Sequence, residues 1–482
     1  MHRSLSYVII AFAVFAGSIC GLAQSAPDSP DKVWRSSQEQ GISRELKTLP
    51  EPKVDIDPAK IYTLAELIDI AEQNNPETRI AWQNAKARAA SLGIARSALY
   101  PTLVAEALAN TSRVRILFNS SYVRQTLGSF EPLLHVEYLI FDFGERGGAI
   151  DAAKADLLAA NFAFNDTHRK IIYQVTASYY GLLNQIGQQG AAEANLKNAQ
   201  TVEEDAESRL ANGLATKPDV LEAAAATAQA QYDLQSVIGA EEIARGDLAT
   251  VLGVPPETKL QVEAIDKLPA PPEFMQSVDQ AIDRAFQQRP DLQEQVARLR
   301  AAQADIKQAR SSLFPSLSFS GDGGSLRQNG QQDQLPPAYT TGEVWNVSLQ
   351  LKWTIFDGTR REHQIARAAA EKAEAQANID ALRDEIGNEV WAAYSNIRTA
   401  ERQRQAAVAL LASADQSYSA ARESYQYGVR NLLDVVSAQK ALAQASSEDV
   451  YTRTQLLIQL ANFAFRTGDL IQTPPAKTNP GP

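Results

Sequence analysis

Ala95-Arg96-Ser97-Ala98-Leu99-Tyr100-Pro101-Thr102-Leu103 returns 214 positions later as Ala309-Arg310-Ser311-Ser312-Leu313-Phe314-Pro315-Ser316-Leu317. In both stretches a run of helix formers meets a proline. Proline has no N–H to donate and its ring clashes with the preceding turn, so the helix ends there. The residues beyond each proline repeat with a period of two rather than 3.6. The decisive event, helix into strand at a proline, therefore happens twice.

The same offset holds on either side. Leu64 to Pro76 resembles Val278 to Pro290, again 214 apart, and Ile140-Phe141-Asp142 resembles Ile355-Phe356-Asp357 at 215. Gly213 pairs with Gly428, and Asp219-Val220 with Asp434-Val435, both at 215. A constant offset over such a length is the mark of internal repetition. The expected organisation is a signal peptide over 1–23, an extended lead-in over 24–62, one repeat over 63–253, a Pro-rich linker over 254–276, a second repeat over 277–467 and a disordered tail over 468–482.

Each repeat reads as helix, two strands, a very long helix, a turn and a further helix. Thr63-x-x-Glu66 and Ser277-x-x-Gln280 are capping boxes that open the first helix. Pro76 and Pro290 interrupt it. The strands are expected at about 101–118 and 129–142, then at about 315–326 and 343–356. Trp345, Val347, Leu349, Leu351, Trp353 and Ile355 alternate with Asn346, Ser348, Gln350, Lys352 and Thr354. Phe130, Pro132, Leu134, Val136, Tyr138 and Ile140 form the matching apolar face in the first repeat, with Glu131, His135 and Glu137 opposite. Such alternation marks a sheet with one apolar face. The Pro-free runs Gly144–Ala211 and Gly358–Tyr427 are expected to be single helices of about 100 Å at ~1.5 Å per residue. Each repeat would thus supply one continuous and one broken helical column, with strands at one end and a hairpin tip at the other.

Composition narrows the function. The 482 residues carry 46 Lys+Arg and 57 Asp+Glu, a net charge of -11, which argues against nonspecific nucleic-acid binding. One cysteine, Cys20, and four histidines leave neither a disulfide framework nor a Cys/His zinc site. No metal site, cofactor or catalytic residue is expected. Asp142-Phe143-Gly144 spells a kinase metal motif, but no Gly-rich loop or catalytic-loop pattern accompanies it. Past the first 20 residues no apolar run of helix-spanning length appears, and mean hydropathy is -0.27. Arg3, the apolar stretch Tyr7–Ala16 and the small residues up to Ala26 describe a secretory signal, cleaved after Ala23 or Ala26. Cys20 is also a candidate lipidation site, although Ile19 stands where a small residue is expected before it.

For an exported chain, strands of this length with tryptophans at both ends of an apolar face suit a transmembrane barrel. Trp345, Val347, Leu349, Leu351, Trp353, Leu134, Val136 and Tyr138 would face lipid. Four strands cannot close, and an open edge is not tolerated in lipid. Two chains would give eight strands, and three would give twelve.

The sequence resembles the TolC-like outer membrane efflux protein family. The resemblance covers about 60–470. It rests on the doubled unit, the Asn75-Pro76 and Arg289-Pro290 breaks, Tyr100-Pro101 and Phe314-Pro315 before the strands, Phe141-Asp142-Phe143-Gly144 and Phe356-Asp357-Gly358 after them, and the two tips. It implies a membrane α+β fold. Four strands per chain join a shared trimeric twelve-stranded β-barrel, and long helical hairpins form a coiled-coil α-barrel. It implies an outer-membrane channel with a large periplasmic extension, acting as a passive duct for efflux or type I secretion. The implied partners are two further copies of the chain, a periplasmic adaptor, an inner-membrane RND, ABC or MFS pump and outer-membrane lipid, with no nucleic acid.

The tips are the candidate site. Asp219 and Asp434 each lie six residues after a Gly, where a carboxylate offsets a helix dipole. Threefold symmetry would gather Asp434 into an acidic axial ring. The resemblance implies that Asp434 lines the constriction, and that Tyr425 and Arg430 contact the neighbouring tip around Asp219. Pro218 and Ser437 depart from the family's pattern there. The resemblance further implies that Gly213, Leu214, Ala215, Gly428 and Val429 dock the adaptor. The competing reading is a secreted, soluble coiled-coil scaffold with small hairpins.

Overall fold

A computed structural model describes residues 31, 39–48, 56–118, 121–263, 277–333 and 335–470. The expected signal peptide and most of the lead-in and tail lie outside them. Two units are separable, Met1–Asp55 and Ile56–Pro482. In the first, the described element is helix α1 (Glu39–Lys47).

The second unit begins with β1 (Ile61–Tyr62), α2 (Leu64–Asn74) and α3 (Pro76–Ser97), then β2 (Thr102–Phe118) and β3 (Ser121–Phe141). Next come α4 (Glu145–Ala211), α5 (Lys217–Leu252) and β4 (Gln261–Val262). The later part runs α6 (Val278–Gln288), α7 (Pro290–Ser311), β5 (Ser316–Gln332), β6 (Ala338–Lys352), α8 (Arg360–Gln426) and α9 (Leu432–Thr467). Lengths match between the halves: 11 and 11, 22 and 22, 67 and 67, 36 and 36 residues for the helices.

Local chemistry sets the boundaries. Thr63 caps α2 in a reciprocal box with Glu66. Asn75 ends α2 and opens α3: its Oδ1 accepts from Glu77 N–H at 2.8 Å and its Nδ2 donates to the Val251 carbonyl at 2.8 Å. Gly253, at φ +75°, ends α5 against the backbone of Asn74 and Asn75, so the helix break and the far end of α5 meet. The Asp142 carboxylate accepts from the Gly144 and Arg146 N–H groups and from the Arg146 guanidinium, while Arg146 also donates to the Ala98 and Ile140 carbonyls. Burial alone would raise the Asp142 pKa, but these hydrogen bonds hold it below the ordinary value. Asp357 and Arg361 repeat the pair at 3.0 Å. The kinase-like tripeptide is thus a strand-to-helix joint.

The long helices pack through a heptad seam. From Ile379 onward the buried positions on α8 are Ile379, Ile386, Val390, Ala393, Ile397, Ala400, Ala407, Ala414, Tyr418, Ala421 and Tyr425. Their steps of three, four and seven average 3.5 residues, the period of a left-handed supercoil. Four columns lie side by side in the order α3 with α5, α4, α7 with α9, and α8.

A buried charge network ties these columns together. Arg169, only 1% exposed, donates to Asp166 (3.0 Å) and the Phe465 carbonyl (3.1 Å), and its guanidinium lies over the Phe465 ring at 4.6 Å. It also approaches Asp291 at 3.5 Å. Arg289 grips Asp291 through two bonds, at 3.1 and 2.6 Å, and reaches Glu389 at 2.6 Å. Glu389 in turn accepts from Arg466.

The four large strands form one antiparallel sheet in the order β2-β3-β5-β6, so the hairpin of each half meets the other through β3 and β5. Three strands outrun the expected bounds. β3 starts at Ser121 rather than 129, β5 ends at Gln332 rather than 326, and β6 starts at Ala338 rather than 343. These extensions are held by the hydrogen-bond ladder and carry no one-sided apolar pattern. β6 ends at Lys352 rather than 356, because its partner β5 begins only at Ser316, after Pro315; beyond the pairing the Trp353 indole donates to the Leu313 carbonyl at 3.1 Å.

Candidate functional site

The register settles which side chains share a face, because directly opposed residues of an antiparallel pair point the same way. Ala105, Leu134, Gly323 and Trp345 form one row; Leu103, Val136, Gly321 and Val347 the next; then Tyr138, Phe319 and Leu349; Leu317 and Leu351 come last. All the residues expected to face lipid that lie in the strands fall on this face. Trp345 is 78% exposed and Leu349 64%. Trp353 comes after β6 and is 60% exposed. The opposite face carries Val104, His135, Asp322 and Asn346 in one row, with Thr102, Glu137, Ser320 and Ser348 beside it. His135 Nδ1 lies 2.5 Å from Asp322. The sheet thus has one mainly apolar and one mainly polar face, with β2 and β6 as open edges.

At the other end the helices turn back twice. After α4, Gly213 takes φ +70°, and the Leu214 N–H reaches the Arg209 carbonyl at 2.8 Å. After α8, Gly428 takes φ +73°, and the Val429 N–H reaches the Ser424 carbonyl at 2.9 Å. Both are αL caps that only glycine adopts without strain. Thr216 then opens α5: its N–H and hydroxyl donate to Asp219 Oδ2 at 2.8 and 2.7 Å, which lowers the Asp219 pKa. Asn431 opens α9 by accepting from the Asp434 N–H at 2.9 Å, which leaves the Asp434 carboxylate exposed to solvent.

The two tips share a core of Val202, Ala206, Ala223, Tyr418, Ala421, Tyr425, Leu432 and Val435. Tyr425 is buried in it with its ring beneath the Arg209 guanidinium at 4.6 Å, and Arg209 donates to the Gln426 carbonyl at 3.0 Å. Burial pushes the Tyr425 phenol up, and Asp219 and Asp205 push it the same way against Arg209. Tyr425 and Asp219 are therefore brought into one neighbourhood. Arg430 and Asp434 are not joined to it: Arg430 is exposed and makes no ion pair among the described residues. Leu214 and Val429 stand out at 66% and 79% exposure, and Gly213 and Gly428 are also exposed, with Ala215 half-buried. Sequence reasoning missed Arg209, although a cation in the last turn of a helix is a readable signal.

Among the described residues no helix is long and apolar enough to cross a membrane. The chain belongs to the outer membrane efflux protein family, which matches residues 67–254 and 281–469. It is an outer-membrane protein. It is 28% identical over 409 residues to protein CyaE of Bordetella pertussis, covering 84% of each chain. It is 25% identical over 443 residues to outer membrane protein OprJ of Pseudomonas aeruginosa, covering 91% of this chain and 89% of that one. Its fold matches the Campylobacter jejuni CmeC outer membrane channel with a TM-score of 0.73 at 19% identity, over 92% of this chain and 94% of the other.

Proposed function

We propose that three copies of this chain form a passive exit duct, with a shared twelve-stranded barrel in the outer membrane and a helical tube crossing the periplasm. One observation carries this reading. A four-stranded sheet with an apolar outer face and two unpaired edges is rooted on helices of about 100 Å. Lipid forbids the open edges, and eight strands would fill their own interior, so twelve is the smallest closure in multiples of four that leaves a lumen. The outermost helix columns support it, since Tyr232 and Ile243 on α5 and Trp391 and Val408 on α8 are exposed where a second copy would pack.

The far ends of the helices form the gate. Three Asp434 carboxylates, exposed and free of side-chain partners among the described residues, ring the axis and favour cations. Gly213, Leu214, Ala215, Gly428 and Val429 present the surface for a periplasmic adaptor, which connects the duct to an inner-membrane RND, ABC or MFS pump. Membership of the outer membrane efflux protein family favours this over a soluble scaffold. Asp434→Ala is expected to raise single-channel conductance in a planar bilayer, or to weaken block by divalent cations added on the tip side. A variant with unchanged conductance and unchanged block would remove Asp434 from the gate.

A further inference from the structure

The outer face of the sheet changes character abruptly along the strands. On β3 it reads Tyr138, Val136, Leu134, Pro132 and Phe130, then Gly128, Thr126 and Arg124. On β2 the same face reads Leu103, Ala105, Ala107 and Ala109, then Thr111, Arg113 and Arg115. On β5, Arg327 lies opposite Phe130. Four arginines thus gather beyond the apolar rows of a chain whose net charge is -11.

Their heights derive from strand geometry. At ~3.3 Å per residue and a tilt of about 40°, each residue climbs about 2.5 Å. Taking the lowest apolar row, Leu317–Leu351, as the floor, Phe130 and Arg327 stand about 25 Å up, Arg113 about 35 Å and the Arg115–Arg124 row about 40 Å. The apolar band of such a barrel is about 25 Å tall. The arginines therefore begin where the hydrocarbon ends, at headgroup level on the side away from the helices. Phe130 and Tyr339 flank that boundary as interfacial aromatics do.

The local pairing points to an anion. Arg115 and Arg124 are direct cross-strand partners, and like charges so placed are destabilising. One of them is neutralised: Asp333 accepts from the Arg124 guanidinium at 3.1 Å. Among the described residues Arg113 donates a hydrogen bond only to the neutral Thr126 hydroxyl, at 2.9 Å, and reaches Asp333 only through space. Arg115 and Arg327 are exposed and make no ion pair among the described residues. Glu343 is the remaining acid of this face in the strands, and it sits below the arginine rows. A shallow groove of about 430 Å³ runs between Phe130, Arg327, Asn329 and Tyr339.

We propose that this arginine cluster binds the phosphorylated headgroups of outer-leaflet lipid, with the acyl chains lying on the apolar rows below. Guanidinium groups suit phosphate because their planar N–H pairs match its oxygens. Continuity with the apolar rows selects a lipid phosphate over a free one. The inference rests on the reading that this face meets lipid.

The test uses the full protein in neutral detergent, titrated with a diphosphorylated glycolipid, with the same lipid after enzymatic dephosphorylation, and with inorganic phosphate alone. The native protein should prefer the phosphorylated lipid by about tenfold or more, and added salt should erode the preference. Arg113→Gln combined with Arg115→Gln and Arg327→Gln should abolish the preference. Inorganic phosphate at millimolar concentration should not compete. Equal binding of the two lipids by the native protein would overturn the proposal, as would a triple variant that keeps the preference. Full competition by inorganic phosphate would overturn the lipid assignment. If the triple variant does not assemble, the comparison of the two lipids on native protein still decides, and Arg327→Gln alone should weaken the preference. Flotation with vesicles of uncharged lipid reads the membrane assignment separately: a protein that floats but shows no phosphate preference refutes only the arginine site.

Discussion

Replacing Arg169 with methionine should destabilise the assembled protein by about 3–5 kcal/mol, the usual cost of breaking a buried ion pair from one side. Methionine fills similar space, so the loss is of charge pairing rather than of volume. Asp166 is buried and would keep only the exposed Lys170, at 2.8 Å. The Phe465 carbonyl would lose its side-chain donor and keep the Gly468 N–H at 3.3 Å, and Asp291 would lose one of its two cations. Arg367→Met, which breaks an exposed i,i+4 pair with Glu371, should cost about 0.5 kcal/mol or less. Chemical denaturation of both variants beside the native protein gives the comparison. The network also sets an acid limit. Burial would raise the Asp291 pKa, but Arg289 foremost and then Arg169 hold it below the ordinary value. A carboxyl depressed on folding contributes stability above its unfolded pKa of about 4, and that stability is lost as pH falls through the folded value. The native protein should therefore show a stability loss in strong acid that Arg169→Met shows in smaller measure.

The second large effect separates the two faces of the sheet. Val347 and Ser348 are neighbours in sequence on opposite faces. Val347→Arg should cost about 2–4 kcal/mol per chain, the penalty for a cation facing the hydrocarbon of a barrel, and should sharply reduce the yield of assembled protein in outer-membrane fractions. Ser348→Arg points to the polar face, in the row of Glu137 and Ser320, and should assemble normally. Equal yields from the two variants would place both faces in water and return the sheet to a soluble hairpin.

The alternation from Trp345 to Leu351 made the apolar face readable because successive strand residues point to opposite faces, one apolar and one polar. The strand ends were not readable. Tyr122 to Gly128 and Arg327 to Gln332 keep pairing through the backbone ladder without keeping a one-sided apolar pattern. The helix breaks and tips were readable because prolines and positive-φ glycines mark them at fixed spacing. The Arg169 network was not, since its members come from four helices and each looks like a solvated charge in its own stretch. The Arg209–Tyr425 contact joins two tips more than 200 residues apart and appears only when the hairpins are packed.

A duct of three chains requires that the open edges β2 and β6 close against other copies. Cysteine pairs placed across those edges test this directly, in a background where Cys20, the chain's single cysteine, is changed to serine. Leu103→Cys on β2 is combined in turn with Val347→Cys, Leu349→Cys and Leu351→Cys on β6, to allow for the register between copies. These edges lie on opposite sides of one sheet, so crosslinking must join separate chains. A trimeric barrel predicts, for at least one pair, a covalent ladder in non-reducing gels that stops at three chains. A ladder that stops at two, or no crosslinking by any pair in protein recovered from the outer membrane, would contradict it.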